Sequence, residues 1–173
     1  SINIEMPGYS ILSRRDRNGG INENRGGVLA FCRDDVKNCV HWNDSSAAER
    51  VWHLIQRDSG CIALCNVYHP PGSDEEVLSS LQREIKDMEN IADSVILTGD
   101  FNTHQLSWLR HSSGDTRHGR LLHDLCEQNG LSQLVSEPTR GRYLLDLVLT
   151  NMANVRTKVL PRIADHNPVL VKV

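Results

Sequence analysis

A phenol, an amide, an imidazole and several carboxylates stand at the ends of apolar runs in this chain, and together they are groups that handle phosphate. The run Val95-Ile96-Leu97-Thr98 stops at Gly99, Asp100, Phe101 and Asn102. Branched apolar residues in succession read as a strand covered on both faces. Gly99 permits a sharp exit, so Asp100 and Asn102 fall on a rim. A strand closed by an ordinary Asp/Asn turn gives the same letters, and the rest of the chain must decide between the two.

Asp146 interrupts Leu144-Leu145-Asp146-Leu147-Val148-Leu149, otherwise a buried strand. Desolvating a lone carboxylate costs several kcal/mol, so Asp146 needs a partner or a place where the strand surfaces. His166 is the natural partner, because Asp165-His166-Asn167 immediately precedes the last apolar run. Such a pair fixes the imidazole tautomer and makes it a strong donor toward developing negative charge. Tyr68 also ends an apolar run, before the stiff turn His69-Pro70-Pro71-Gly72. Singly, Tyr68 reads as a rim tyrosine, and Asp165 and Thr139 as turn residues; together they are strand ends carrying polar chemistry, which is how an open sheet builds a site. The oxygen donors Asp100, Asn102 and Asp165 suit Mg²⁺ or Mn²⁺ better than zinc. Metal-assisted phosphoryl chemistry follows.

These residues need a sheet to position them. Strand-like runs occur at 27–32, 51–56, 61–68, 94–98, 144–150, 155–160 and 168–173. A helix is predicted over 74–90, with Val77, Leu81, Ile85 and Met88 on one face and a Ser73/Glu76 capping box at its start. A second is predicted over 116–129, burying Leu121, Leu122, Leu125 and Cys126 and stopping at Gly130. Several strand connections are too short for a crossover helix, so the pattern is α/β: a mixed sheet or pair of sheets flanked by helices. The stretch 14–25 reads as an exposed loop whose arginines could face phosphate.

The 173 residues fit one domain, 1–173, and the net charge of −3 argues against a surface that is polycationic throughout. The five cysteines form no metal-binding pairs of knuckles and are read as reduced packing groups in an intracellular protein. No apolar run is long enough to cross a bilayer.

The ordered set Asp16-Arg17, Gly26-Gly27-Val28, Asn66-Val67-Tyr68-His69-Pro70-Pro71, Leu97-Thr98-Gly99-Asp100-Phe101-Asn102, Pro138-Thr139-Arg140, Leu145-Asp146-Leu147-Val148-Leu149-Thr150 and Asp165-His166 resembles the endonuclease/exonuclease/phosphatase superfamily. In detail it is similar to the endonuclease domain of non-LTR retrotransposons. The resemblance implies a DNase I-like two-sheet α/β sandwich with flanking helices and a Mg²⁺-dependent site that nicks DNA, leaving a 3′-hydroxyl to prime reverse transcription. It implies that Asp100 activates water, Asn102 positions it, Tyr68 contacts phosphate, and His166, oriented by Asp146, stabilises the pentacovalent phosphorus. Asp165 joins Asp100 and Asn102 on the metal side, and Thr139 contacts DNA, with Arg140 and Arg142 as phosphate contacts. A monomer acting on nuclear DNA and fused to a reverse transcriptase completes the expectation.

The resemblance also has gaps. The first strand with its Asn, and the segment with the main metal-binding Glu, have no counterpart before Ser1, and Ala164 replaces a common serine. Exposed edges, marginal stability, poor Mg²⁺ binding and weak nicking are therefore expected of this chain. Two alternatives follow: a non-catalytic remnant that binds nucleic acid, or a phosphatase of the same superfamily.

Overall fold

The apolar runs at 51–56, 61–68, 94–98 and 144–150 become the centre of the sheet. A computed structural model describes residues 4–17, 26–43 and 48–173. In chain order its elements are β1 (Tyr9–Asp16), β2 (Gly27–Arg33), β3 (Cys39–Trp42), β4 (Arg50–Arg57), β5 (Gly60–Tyr68), α1 (Glu76–Met88), β6 (Ser94–Asp100), α2 (Arg117–Gln128), β7 (Ser132–Gln133), β8 (Asp146–Thr150), β9 (Arg156–Val159) and β10 (Val169–Lys172). Six strands form one sheet in the order β3-β4-β5-β6-β8-β7. Among the described strands only β5 and β6 pair in parallel, and α1 supplies the crossover that parallel strands require.

Alternation along β4 separates two layers. Arg50 and Trp52 point to α1, where both bond Glu84. His53 points the other way and meets Ser13 of β1 at 2.8 Å. The helices thus cover one face, α2 tied to α1 by reciprocal Gln82–Asn129 amide bonds of 3.2 and 2.8 Å. The other layer consists of two separate hairpins, β1-β2 and β9-β10. The sandwich is therefore as expected, with its second layer in two pieces. Between sheet and helices Trp52, Leu81, Ile85, Leu97, Leu122 and Leu149 are fully buried, each contributing about 1.5–3 kcal/mol.

Gly99 is required for a reason beyond a strand exit. It lies inside β6 at φ +136°, and a Cβ there would fall 1.9 Å from the Val67 carbonyl oxygen of β5. Only glycine lets the two strands close at the level of the site.

Several local expectations change. Ser73 does not cap α1; its hydroxyl donates to the Pro70 carbonyl, while Asp74 accepts from the Glu76 backbone at 3.0 Å. Leu81, Ile85 and Met88 are buried as expected, and Leu78 rather than Val77 continues their face, three residues before Leu81. Thr116 caps α2, accepting from Gly119 N at 3.0 Å, and Gly130 takes φ +62° as expected. Arg14 to Asp16 belong to β1 rather than a loop, and the remainder of that stretch, 18–25, lies outside the described residues. β1, β3 and β7 had no clear apolar signal because they are short or carry much solvent-facing surface.

Arg50 is the charge most deeply set in the fold, 1% exposed, with both Glu84 oxygens at 2.6 and 2.7 Å, Ser80 at 2.8 Å and the Val77 carbonyl at 3.0 Å. Glu84→Ala leaves that guanidinium buried and without its anion, and is expected to destabilise by about 3–5 kcal/mol in urea unfolding. His53 adds a pH dependence. Burial first, then His41, pushes its pKa down to about 4. The unfolded chain binds this proton from about pH 6.5 downward, so stability is expected to fall as pH drops from 6.5 toward 4. Urea midpoints across that range check this, and His53→Gln is expected to flatten the slope while keeping a partner for Ser13.

Candidate active site

Strand register brings the polar residues into one transverse row. Tyr68 of β5 is the register partner of Asp100 of β6, and Asp100 is the register partner of Asp146 at the start of β8. A parallel pair and an antiparallel pair therefore deliver all three to the same end of the sheet. The imidazole comes from the other layer, on the 160–168 segment that enters β10.

His166 Nδ1 lies 2.7 Å from Asp146 Oδ2, and its Nε2 lies 3.8 Å from Asp100 Oδ2. The expected Asp–His pair is present, and Asp146 has both remedies for a carboxylate in an apolar run: it begins the strand, and it is paired. Asp100 and Asp146 stand opposite each other in an antiparallel ladder, where like charges repel. Burial first, then Asp146, raises the pKa of Asp100, opposed by hydrogen bonds from Asn102 and by His166. Asp100 Oδ1 accepts from Asn102 N at 3.0 Å, and Asn102 Nδ2 donates to the His69 carbonyl at 3.1 Å. Asn102 holds φ at +45°, a left-handed conformation that Asn tolerates better than most residues. A cleft of about 290 Å³ runs beside the row, lined by Thr98, Asp146, Ile163, His166 and Val169 among others.

The family model for endonuclease–reverse transcriptase matches residues 62–170, a stretch that holds Tyr68, Asp100, Asn102, Asp146 and His166. The chain belongs to the endonuclease–reverse transcriptase family. Its fold is also that of solved relatives in the endonuclease/exonuclease/phosphatase superfamily. The endonuclease domain of TRAS1, a telomere-specific non-LTR retrotransposon, superposes with TM-score 0.72 at 16% identity, over 97% of this chain and 81% of that one. An endonuclease/exonuclease/phosphatase family protein from Leptotrichia buccalis gives 0.62 at 17% identity, over 95% and 71%. The 3′ phosphatase NExo from Neisseria, bound to a product DNA hairpin, gives 0.56 at 16% identity, over 82% and 72%. No curated protein matches the chain.

Within this family fold the remaining site residues divide. Asp165 is exposed and pairs with Arg140 at 3.3 Å. Among the described residues no group of three or more His, Cys, Asp or Glu is arranged to hold a metal. Asp100 and the Asn102 amide remain as an oxygen donor set. It fits Mg²⁺, which keeps several waters and takes only one or two protein carboxylates.

Thr139, expected to contact DNA, is fully buried, and its hydroxyl accepts from Leu145 N at 3.1 Å and Asp146 N at 2.9 Å. Two donors at the strand entrance would otherwise be unpaired, so this threonine holds Asp146 in place. Arg140 and Arg142 lie on the exposed turn that Thr139 anchors, Arg142 stacked on Tyr143 at 5.1 Å. Arg17, expected only as one of the loop arginines that could face phosphate, has its guanidinium 5.4 Å from the Tyr68 ring centre and bonds Glu49 at 2.7 Å. Glu49 first, then Tyr68, raises its pKa. The adjacent Asp16-Arg17 letters were visible; the partner across 32 residues was not.

Thr139→Val separates the two readings of that residue. Losing both bonds is expected to destabilise by about 1–3 kcal/mol in urea unfolding.

Proposed function

We propose that this chain is the DNA-nicking domain of a non-LTR retroelement, a phosphodiesterase that leaves a 3′-hydroxyl from which a linked reverse transcriptase is primed. The observation that carries the reading is the Asp146–His166–Asp100 line beside Asn102, because it combines a proton acceptor for water with a braced imidazole donor for phosphate. The family assignment supports the link to a polymerase, and nuclear DNA is the target this role requires. Among the described residues no helix is long and apolar enough to cross a membrane.

In the proposed mechanism a DNA phosphate enters between Tyr68 and His166; the water oxygen bonds phosphorus as the P–O3′ bond breaks, and the departing 3′ oxygen takes a proton from solvent, giving a 3′-hydroxyl and a 5′-phosphate. Asp100 accepts a proton from the attacking water. Asn102, fixed by the His69 carbonyl, orients that water. His166, its Nδ1 held by Asp146, presents Nε2–H to the non-bridging oxygens as charge builds. Tyr68, braced by Arg17, offers a phenol to the same phosphate. Mg²⁺ held by Asp100 and Asn102 would neutralise phosphoryl charge. Arg140 and Arg142 would contact backbone phosphates beyond the scissile one, and the domain acts as a monomer.

One observation favours a second reading, binding without cleavage: the lack of a three-ligand metal group among the described residues. Supercoiled plasmid with Mg²⁺ separates them. Weak nicking is expected, and Asp100→Asn is expected to abolish it. Salt-sensitive binding with no nicked product would overturn the endonuclease reading, and turnover of soluble phosphoesters alone would point to a phosphatase. The same variant carries a stability signature. A carboxyl with a raised folded pKa stabilises below its unfolded pKa and loses that stability as pH rises through the folded one. Asp100→Asn is therefore expected to raise Tm at pH 7 in the absence of Mg²⁺, with the gain shrinking as pH falls below the unfolded pKa.

A further inference from the structure

Next to Asn102 in the chain, or bonded to it through the main chain, are buried polar side chains that the reaction does not use. His69 and Thr103 are each 1% exposed. The His69 ring packs on that of His118 from α2, with centroids 5.0 Å apart and planes at 60°. Among the described residues, four buried side-chain atoms take no hydrogen-bond partner: His69 Nδ1 and Nε2, Thr103 Oγ1 and His118 Nε2. Buried polar atoms in folded proteins are nearly always partnered, by protein or by an ordered water making two to four bonds. Two imidazoles and one hydroxyl fall short of a zinc site, which wants four ligands or three plus water. They suit a water, to which imidazole offers both a donor and an acceptor and threonine offers either.

The cluster is joined to the site through the main chain of the same histidine. His69 N donates to the Asp100 carbonyl at 2.8 Å, and the His69 carbonyl accepts from Asn102 Nδ2. Thr103 directly follows Asn102, whose left-handed backbone must be held by its surroundings. Whatever fixes the His69 ring and the Thr103 hydroxyl therefore fixes the 100–103 turn from behind.

Resting on the proposed nuclease reading, we infer that His69, His118 and Thr103 are positioning residues that share a buried water and through it lock Asn102 in its working orientation. The cluster also ties α2, which contributes no group to the catalytic row, to the placement of the attacking water.

The test uses the whole chain in Mg²⁺-dependent plasmid nicking. His69→Leu and Thr103→Val are each expected to lower kcat by roughly tenfold to a hundredfold, with KM within about twofold. His69→Asn, whose amide can occupy the place of Nδ1, is expected to recover most of the loss. The double variant is expected to be no worse than the more severe single one, since one shared water can be lost only once. Wild-type kcat in His69→Leu, or single effects that multiply, overturns the inference. A crystal structure at high resolution gives a readout free of activity: a water within hydrogen-bond distance of all three side chains supports the shared site, and its absence overturns it. If the wild-type chain does not nick DNA at all, the nuclease reading fails alone, and the crystallographic result still decides the cluster.

Discussion

The site depends on β6 being paired on both sides at once. Its parallel register with β5 sets Tyr68 beside Asp100, and its antiparallel register with β8 sets Asp146 on the other side of Asp100. A slip by one residue in either pairing would turn a catalytic side chain to the opposite face. Gly99 is what permits this, because the Val67 carbonyl oxygen sits where any side chain would begin. The five-letter run from Thr98 to Asn102 is thus two constraints in sequence: a residue with no Cβ to close the sheet, then a carboxylate and an amide displayed where the sheet ends.

Around that row the fold spends its polar groups on placement. Thr139 uses one hydroxyl to satisfy two backbone donors at the mouth of β8. Arg50 and Glu84 join β4 to α1 below the surface, and a buried ion pair of this kind adds little net stability while making its own loss expensive. Asp100 and Asp146 are held in mutual repulsion that His166 only partly relieves, at 3.8 and 2.7 Å. Sites of this sort trade stability for reactivity.

Much of the row was legible in the sequence, and the reason is chemical contrast. A carboxylate in a run of leucines, or an imidazole just ahead of an apolar strand, conflicts with its neighbours, and the conflict signals a partner. Asp146 and His166 were found that way. The bonds of Thr139 were not legible because a threonine beside a proline conflicts with nothing; its partners are Leu145 and Asp146, six and seven residues on. Arg17 and Glu49, and His69 with His118, escaped for the same reason, since each pair meets only across the fold. β1 and β3 escaped because strands with much exposed surface need only half an apolar pattern. The helix boundaries moved by one or two residues where Asp74, rather than Ser73, met the open backbone donor.

The two carboxylates of the row belong to the six-stranded sheet, whereas the imidazole that joins them arrives from a hairpin in the other layer. The polar line therefore crosses the seam of the sandwich. It is complete only while the layers are seated on one another, to a tolerance set by a 2.7 Å bond. The His166–Asp146 bond is thus a gauge of the seam: where it is made, the two layers are in register.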